Sequence, residues 1–188
     1  MAELMDQFKD LSDKTVATGN WDTEAAAQEA LVNFLQKTGL FYIYQQVVGR
    51  PLSTCYFKKY QNVRADVLVL PSEKLIAQDC NGGAFIFEVK RPGKKIGPAI
   101  SQLWDYLNSA WPITGAVAIV PTYAFIFSAP QQFQTVSSIL AQNHIGTAEI
   151  IDGILHLYCG HQLVMRIGQD GTIEWMGKHN FGKRIGSR

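Results

Sequence analysis

Residues 85–93 of the chain, FIFEVKRPG, decide the fold that the sequence predicts. Aromatic and β-branched residues dominate this run with a period of two, which indicates a strand that ends at Pro92-Gly93. Side chains two apart on a strand share a face, so Glu88 and Lys90 should project the same way. A Glu-x-Lys triplet alone is usually a solvated ion pair on an edge strand. Its meaning therefore depends on the segments around it.

Asp66 lies near the start of another predicted strand, residues 64–71. A turn-rich connection from Pro71 to Gly83 joins the two strands, which favours an antiparallel pair with Asp66 beside Glu88. Hard cations prefer oxygen ligands, which the two carboxylates and the backbone carbonyl of Val89 could supply. This strand pair is therefore a candidate site for a divalent cation.

A helix is predicted from Pro98 to Ser109, because a proline suits the first helical turn. Gln102 and Tyr106 lie one turn apart and share a face that could point back at the strand carrying Lys90. The same spacing is common in ordinary amphipathic helices, so this pair by itself does not establish a function.

Thr23 is a good N-cap for a helix over residues 24–37, which stops before a glycine. Glu24 falls on the same stripe of this helix as Gln28, whereas Glu29 points about 100° away from Gln28. Glu24 either favours the positive end of the helix or lies near the site, and the residues alone leave both interpretations open.

These motifs resemble those of the PD-(D/E)XK nuclease superfamily, in particular the N-terminal nuclease domain of type I restriction enzyme motor subunits. In that family a helix opening with Thr/Ser-Glu precedes Arg-x-Asp, then Glu-x-Lys-Arg-Pro-Gly, then Gln-x-x-x-Tyr. The chain has these motifs in the same order, from Thr23-Glu24 to Tyr106, and the resemblance covers roughly residues 21–130. A strand pair at residues 115–120 and 123–128 also fits the family. The chain departs from it in lacking the proline that often precedes the aspartate and in lacking a helicase motor.

The resemblance implies an α/β fold with a restriction-endonuclease-like core, in which helices flank a mixed central sheet. It implies an endonuclease that hydrolyses DNA phosphodiester bonds with Mg²⁺, which Mn²⁺ could replace. The implied catalytic residues are Asp66, Glu88, Lys90, Gln102 and Glu24, with Glu29 as the alternative to Glu24. The implied metal ligands, for one or two ions, are Asp66, Glu88 and the carbonyl of Val89. Side chains near the site are expected to bind the substrate: Arg91, Lys94, Lys95 and Tyr106.

In this scheme Lys90 orients or helps deprotonate the attacking water, and Gln102 positions Lys90 or the substrate strand. A structure-selective nuclease such as a junction resolvase would use the same core. A DNA-binding or assembly module could keep the fold without catalysis, although the presence of all three core residues argues against it. Many nucleases of this fold dimerise, so a homodimer or a larger nuclease assembly stays open.

The chain has 188 residues, 47% of them hydrophobic, and a net charge of +1. This composition suits a single domain over residues 1–188. No apolar run approaches the roughly 20 residues of a membrane span, and three scattered cysteines argue against disulfides, so we expect a cytoplasmic protein without a membrane partner. Basic residues cluster beside Lys90 and in residues 178–188, which suits contact with DNA.

The remaining elements complete a core of about residues 21–143 and a C-terminal β-meander with a basic tail, residues 144–188. Core strands are predicted near residues 41–48, 64–70, 84–90, 116–120 and 124–127, with a helix near 131–143. Meander strands are predicted near residues 148–151, 154–158, 162–167 and 172–175. Asp152-Gly153 and Asp170-Gly171 indicate hairpin turns in the meander. His156, Cys159 and His161 are close in sequence, but three ligands without a Cys-x-x-Cys pair argue against zinc.

Overall fold

The computed structural model describes residues 21–52, 62–78, 83–91, 97–114, 117–127, 137–160 and 162–176. Its first half contains α1 (Glu24–Thr38), β1 (Phe41–Pro51), β2 (Val63–Pro71), α2 (Glu73–Ile76), β3 (Phe85–Val89) and α3 (Gly97–Leu107). Its second half contains β4 (Ser109–Thr114), β5 (Val117–Ile119), β6 (Tyr123–Phe127), α4 (Ser137–Gln142), β7 (Ile145–Ile151), β8 (Ile154–Cys159), β9 (Gln162–Gly168) and β10 (Ile173–Trp175).

The described strands form one mixed sheet of ten, in the order β10-β9-β8-β7-β6-β3-β2-β1-β4-β5. β3 and β6 pair in parallel, as do β6 and β7, and every other neighbouring pair is antiparallel. The crossover between the parallel strands β3 and β6 contains α3, as parallel pairing requires a long connection. The structure is therefore mixed α/β, as predicted.

The first helix begins and ends where the sequence predicts. The Thr23 hydroxyl accepts a hydrogen bond from the Ala26 backbone N–H at 3.0 Å, which confirms Thr23 as the N-cap. Gly39 follows the helix with a φ of 65°, a left-handed conformation that glycine adopts without steric cost. α1 buries Leu31 and Leu35 against the sheet.

The sheet separates two hydrophobic cores, which we call the α1 core and the α3 core after the helix that packs in each. Phe85 and Phe87 lie in the α1 core, whereas Ile86 lies in the α3 core, as strand alternation requires. Because both faces of the sheet are covered here, every residue of β3 is buried, including the carboxylate residue Glu88. Each buried phenylalanine contributes about 1.5–3 kcal/mol, so the site is built on a stably packed strand.

The C-terminal strands β7 to β10 form the predicted antiparallel meander and continue the same sheet. Asp152 and Gly153 have φ values of 50° and 75° between the paired residues Ile151 and Ile154, which confirms the predicted two-residue hairpin. At the second predicted turn, the Asp170 carboxylate accepts a hydrogen bond from the Thr172 backbone N–H at 2.9 Å.

The predicted pairing of residues 115–120 with residues 123–128 is wrong. β5 pairs with β4 at one edge of the sheet, whereas β6 pairs with β3 near its middle. β4 and the short helix α2 are not predicted from the sequence. β4 is held by a long-range contact, because its buried Trp111 packs on Gly49 of β1 and donates a hydrogen bond from Nε1 to the Tyr106 carbonyl at 3.1 Å. Local sequence patterns do not reveal such a contact.

We expect Gly49→Ala to destabilise the protein. A Cβ atom at this position would lie 2.8 Å from Cε2 of the Trp111 indole, which is fully buried and hydrogen-bonded. Overpacking of this kind costs about 1–3 kcal/mol, measurable by urea unfolding. Val48→Ala is the control, because the Val48 side chain is 47% exposed on the same strand. Equal stabilities of the two variants would contradict this packing.

Candidate active site

Asp66 and Glu88 lie on neighbouring strands, as the sequence analysis expects. The antiparallel pairing of β2 and β3 ends with the pair Val67 and Phe87. Asp66 is the next residue on β2, and Glu88 is the next residue on β3. The Val89 backbone N–H donates a hydrogen bond to Asp66 Oδ2 at 2.8 Å. The Asp66 carboxylate therefore accepts the hydrogen bond of the Val89 N–H at the point where the backbone pairing of β2 and β3 ends.

Glu88 and Lys90 project from the same face at the end of β3, and the Lys90 ammonium contacts Glu88 Oε1. The Glu88 residue is only 3% exposed, whereas the side chain of Lys90 retains 16% exposure. The ammonium therefore lies between a buried carboxylate and solvent. Arg91 follows as an exposed residue.

The hydroxyl of Tyr106 reaches the other oxygen of Glu88. It lies 2.6 Å from Glu88 Oε2 and 2.7 Å from the Arg64 carbonyl, and its single proton can serve one of these acceptors at a time. Burial, followed by the charge of Glu88, raises the pKa of Tyr106 far above its ordinary range, so the phenol stays a proton donor. Tyr106 is 2% exposed and packs edge-on against Trp111. Its hydroxyl is therefore directed at Glu88 and not at solvent.

The pKa of Glu88 is raised above its ordinary value. Burial is the main cause, and the nearby negative charge of Asp66 adds to it. The ammonium of Lys90 and the hydrogen bond from Tyr106 act in the opposite direction. The Asp66 and Glu88 carboxylates are therefore close enough, and buried enough, that a negative charge on both is unfavourable.

The regular alternation of β1 and β2 breaks at the site. Val67 packs in the α1 core and Ala65 in the α3 core, although residues two apart on a regular strand share a face. On the neighbouring strand, Ile43 packs against the α1 core and Val47 against the α3 core. Both strands thus change face around Asp66.

Gln46 occupies the corresponding position on β1, between the residues that pair with Val67 and Ala65. Its φ of 52° is left-handed, a conformation that costs a residue other than glycine about 1–2 kcal/mol. Gln46 Nε2 donates hydrogen bonds to Asp66 Oδ1 at 3.3 Å and to Gln28 Oε1 at 3.4 Å. The strained backbone therefore brings an amide from β1 to the carboxylate on β2.

Gln28 extends this network onto α1, since its Nε2 donates a hydrogen bond to Gln45 Oε1 at 3.2 Å. None of these three glutamines is among the site residues predicted from the sequence. The available signal was the polar pair Gln45-Gln46 in the middle of a mostly apolar strand, together with the position of Gln28 on the stripe of Glu24. Neither pattern reveals a positive φ or a partner on another strand.

The two acidic candidates on α1 differ in their surroundings. Glu24 Oε1 accepts a hydrogen bond of 3.5 Å from the Arg91 backbone N–H, which places Glu24 at the end of β3. Glu29 is exposed farther along the helix.

Gln102 is half-buried one turn before Tyr106, and none of the hydrogen bonds among the described residues joins it to Lys90. The catalytic role of Gln102 stays a prediction.

Asp66 and Glu88 suit a hard cation because they supply carboxylate oxygens on neighbouring strands, and because burial and then the charge of Asp66 raise the pKa of Glu88, a strain that a cation would relieve. Within the described ranges, no group of three or more His, Cys, Asp or Glu side chains could hold a metal ion. A metal here would therefore need other oxygens, and the Val89 carbonyl stays a predicted ligand. Lys94, Lys95, His161 and residues 178–188 lie outside the described residues.

Comparisons of the chain with models of protein families, with curated proteins and with solved structures find no match. In the part of the chain that the structure describes, no helix is long and apolar enough to cross a membrane.

The raised pKa of Glu88 predicts a pH-dependent stability difference for Glu88→Gln in excess EDTA. The folded state holds the Glu88 proton more tightly than the unfolded state, so this residue costs stability as the pH rises above the ordinary value of 4.5. The variant should gain stability relative to the parent through that range and level off above the folded pKa. Urea unfolding at a series of pH values measures the difference, and a difference independent of pH would contradict the raised pKa.

Proposed function

We propose that the chain is a metal-dependent endonuclease that hydrolyses DNA phosphodiester bonds, as the resemblance to the PD-(D/E)XK superfamily implies. The observation that carries the proposal is that Asp66, Glu88 and Lys90 lie together where the pairing of the adjacent strands β2 and β3 ends. Asp66 precedes both Glu88 and Lys90 by more than twenty positions in the sequence. Their meeting in space is what a D…ExK site requires.

The surrounding fold supports this proposal. The central strands belong to a mixed sheet with α1 in one core and α3 in the other, as a restriction-endonuclease-like core would have. The sheet supplies a rigid base, since β3 is buried along its whole length. Catalytic groups on such elements are held more accurately than groups on loops.

The residues divide the chemistry between them. Asp66 and Glu88, with the Val89 carbonyl, would hold Mg²⁺ or Mn²⁺. Such an ion activates water and offsets the negative charge that builds on the scissile phosphate. Lys90, held by Glu88 at the edge of solvent, would orient the attacking water and contact a phosphate oxygen. Tyr106 keeps the Glu88 carboxylate in place through its hydroxyl.

Glu24 and Gln46 would act through other groups. Glu24 contacts the backbone just after Lys90 and can position a water near the carboxylates. Gln46 orients Asp66 by occupying Oδ1, while the Val89 N–H occupies Oδ2. Hydrogen-bond partners of this kind set the direction in which ligand oxygens point.

We expect Asp66→Asn, Glu88→Gln and Lys90→Ala each to reduce Mg²⁺-dependent nicking of a supercoiled plasmid by about 100-fold or more. The first two variants remove a carboxylate charge without changing side-chain size. Lys90→Ala should retain metal binding, measured by calorimetry, because an ammonium is not a ligand.

Excess EDTA should abolish nicking by the parent, and Mn²⁺ should restore it. Full activity of the Asp66→Asn, Glu88→Gln double variant would place the catalytic centre elsewhere. A parent that binds metal and DNA but never cuts would instead support the non-catalytic module.

Two matched pairs separate positioning residues from their neighbours. Gln46→Ala should lower the cleavage rate by about 10–100-fold because Asp66 loses its amide partner. Gln45→Ala, which removes an amide bonded to Gln28, should have little effect. Likewise Glu24→Gln should lower the rate more than Glu29→Gln does. Single-turnover rates with saturating Mg²⁺ would measure both pairs, and a reversed order within either pair would refute the assigned role.

A further inference from the structure

We propose that the part of the β1–β2 ladder beyond Asp66 binds the phosphate backbone of DNA on one side of the cleaved bond. The proposal rests on the proposed nuclease function, which it deepens by naming a substrate-binding surface. We call this surface the arginine face, and its residues are Val48, Arg50 and Arg64. None of the three is among the substrate-binding residues predicted from the sequence.

The pairing of the strands sets the direction of these side chains. Val48 pairs directly with Arg64, so the two side chains share a face of the sheet. Gly49 pairs with Val63, and this pair points to the opposite face, where Trp111 packs on Gly49 and Val63 is buried. Arg50 follows Val48 by two residues and therefore projects on the same side as Arg64.

The arginine face is open and positively charged. Arg50 and Arg64 are exposed, and Val48 between them is 47% exposed. The only other charged residue on β1 or β2 is Asp66. No acidic residue in the described ranges forms an ion pair with either guanidinium. Such a surface attracts an anionic polymer.

The arginine face begins where the proposed active site ends. Arg64 precedes Asp66 by two residues, and Arg50 follows Gln46 by four. At about 3.3 Å per residue, these positions are roughly 7 Å and 13 Å from the site along the strands. Val63 and Ala65 lie in the α3 core, so the arginines project on the α1 side of the sheet, whereas Glu88 and Lys90 project on the α3 side. The two sides meet at the end of β3, where Glu24 of α1 reaches the Arg91 backbone. DNA that passes this end of the sheet can place the reacting phosphate at Lys90 and the next phosphates of the same backbone against the arginines.

α1 leaves the arginine face exposed. The side chain of Gln28, near the start of the helix, contacts Gln45 and Gln46, and the helix ends beside the first residues of β1. β1 beyond Gln46 thus passes the N-terminal end of α1. DNA could cross the sheet there and still reach Asp66.

The test is DNA binding by the full-length chain in excess EDTA, which keeps binding separate from cleavage. Fluorescence anisotropy with a short labelled duplex gives the affinity at a series of salt concentrations. Each phosphate contact contributes a slope of about 0.9 in log affinity against log salt. Arg50→Gln and Arg64→Gln should each reduce the slope by about that amount, and the double variant by about 1.8.

Two sets of controls accompany these variants. Lys37→Gln removes the same charge from the last turn of α1, away from the face, and should leave the slope unchanged. Arg50→Lys and Arg64→Lys retain the charge and should retain most of the slope. They also show that any loss comes from charge, since all these positions are exposed and tolerate substitution.

An unchanged salt slope in the Arg50→Gln, Arg64→Gln double variant would overturn the proposal, even if the parent cleaves DNA. The face would then serve another partner, such as an acidic protein segment. A reduced slope with an unaffected Lys37→Gln control would support the proposal, even if the Asp66 and Glu88 variants show that catalysis lies elsewhere. The two hypotheses can therefore fail separately.

Discussion

The hydrogen bond from the Val89 N–H to the Asp66 carboxylate determines how the candidate site is built. It lies where the recorded ladder between β2 and β3 ends, at Val67 and Phe87. Because a side chain takes the place of a backbone acceptor, the two strands can separate without leaving a buried N–H unpaired. The bond also ties Asp66 to the backbone of the strand that carries Glu88. Both carboxylates thereby become parts of one rigid unit.

The burial of Glu88 is the main energetic cost of this arrangement. A carboxylate under helix α3 is unfavourable unless its oxygens are occupied, and both oxygens have partners in Lys90 and Tyr106. Tyr106 is in turn held by the indole of Trp111, which closes over Gly49. The edge hairpin β4–β5 is thus connected to the site through packed aromatic rings. A change at the sheet edge can therefore alter the position of the Glu88 carboxylate.

The break in strand alternation on β1 and β2 also helps to orient the Asp66 carboxylate. It turns Gln46 towards Asp66 and joins the first helix to the sheet through amide groups. It also reverses the faces of the β1 residues after Gln46 and of the β2 residues before Asp66, so that Arg50 and Arg64 are exposed on the α1 side of the sheet. A single local irregularity therefore supports both the orientation of the proposed ligand and the proposed substrate surface. Strained residues at functional sites are maintained when the surrounding structure demands them.

The sequence by itself determined the features that depend on neighbouring residues. Thr23 and Gly39 bound the first helix, the period of two along residues 85–89 predicts β3, and Asp152-Gly153 forms the expected turn. Such signals are local, because caps, turns and alternation involve residues a few positions apart. The predicted closeness of Asp66 and Glu88 is borne out in the same way, since it follows from two strands joined by one turn-rich connection.

Only the tertiary structure decided the contacts between distant segments. Four contacts join residues that are far apart in sequence. They are the pairing of β4 with β1, the packing of the Trp111 indole on Gly49, the contact of the Tyr106 hydroxyl with Glu88 and the hydrogen bond of the Gln46 amide to Asp66. Their partners are selected by packing, which propensity and periodicity do not encode. The positive φ of Gln46 is a clear example, because no local rule places glutamine in that conformation. It exists because the two strands must change face together around Asp66.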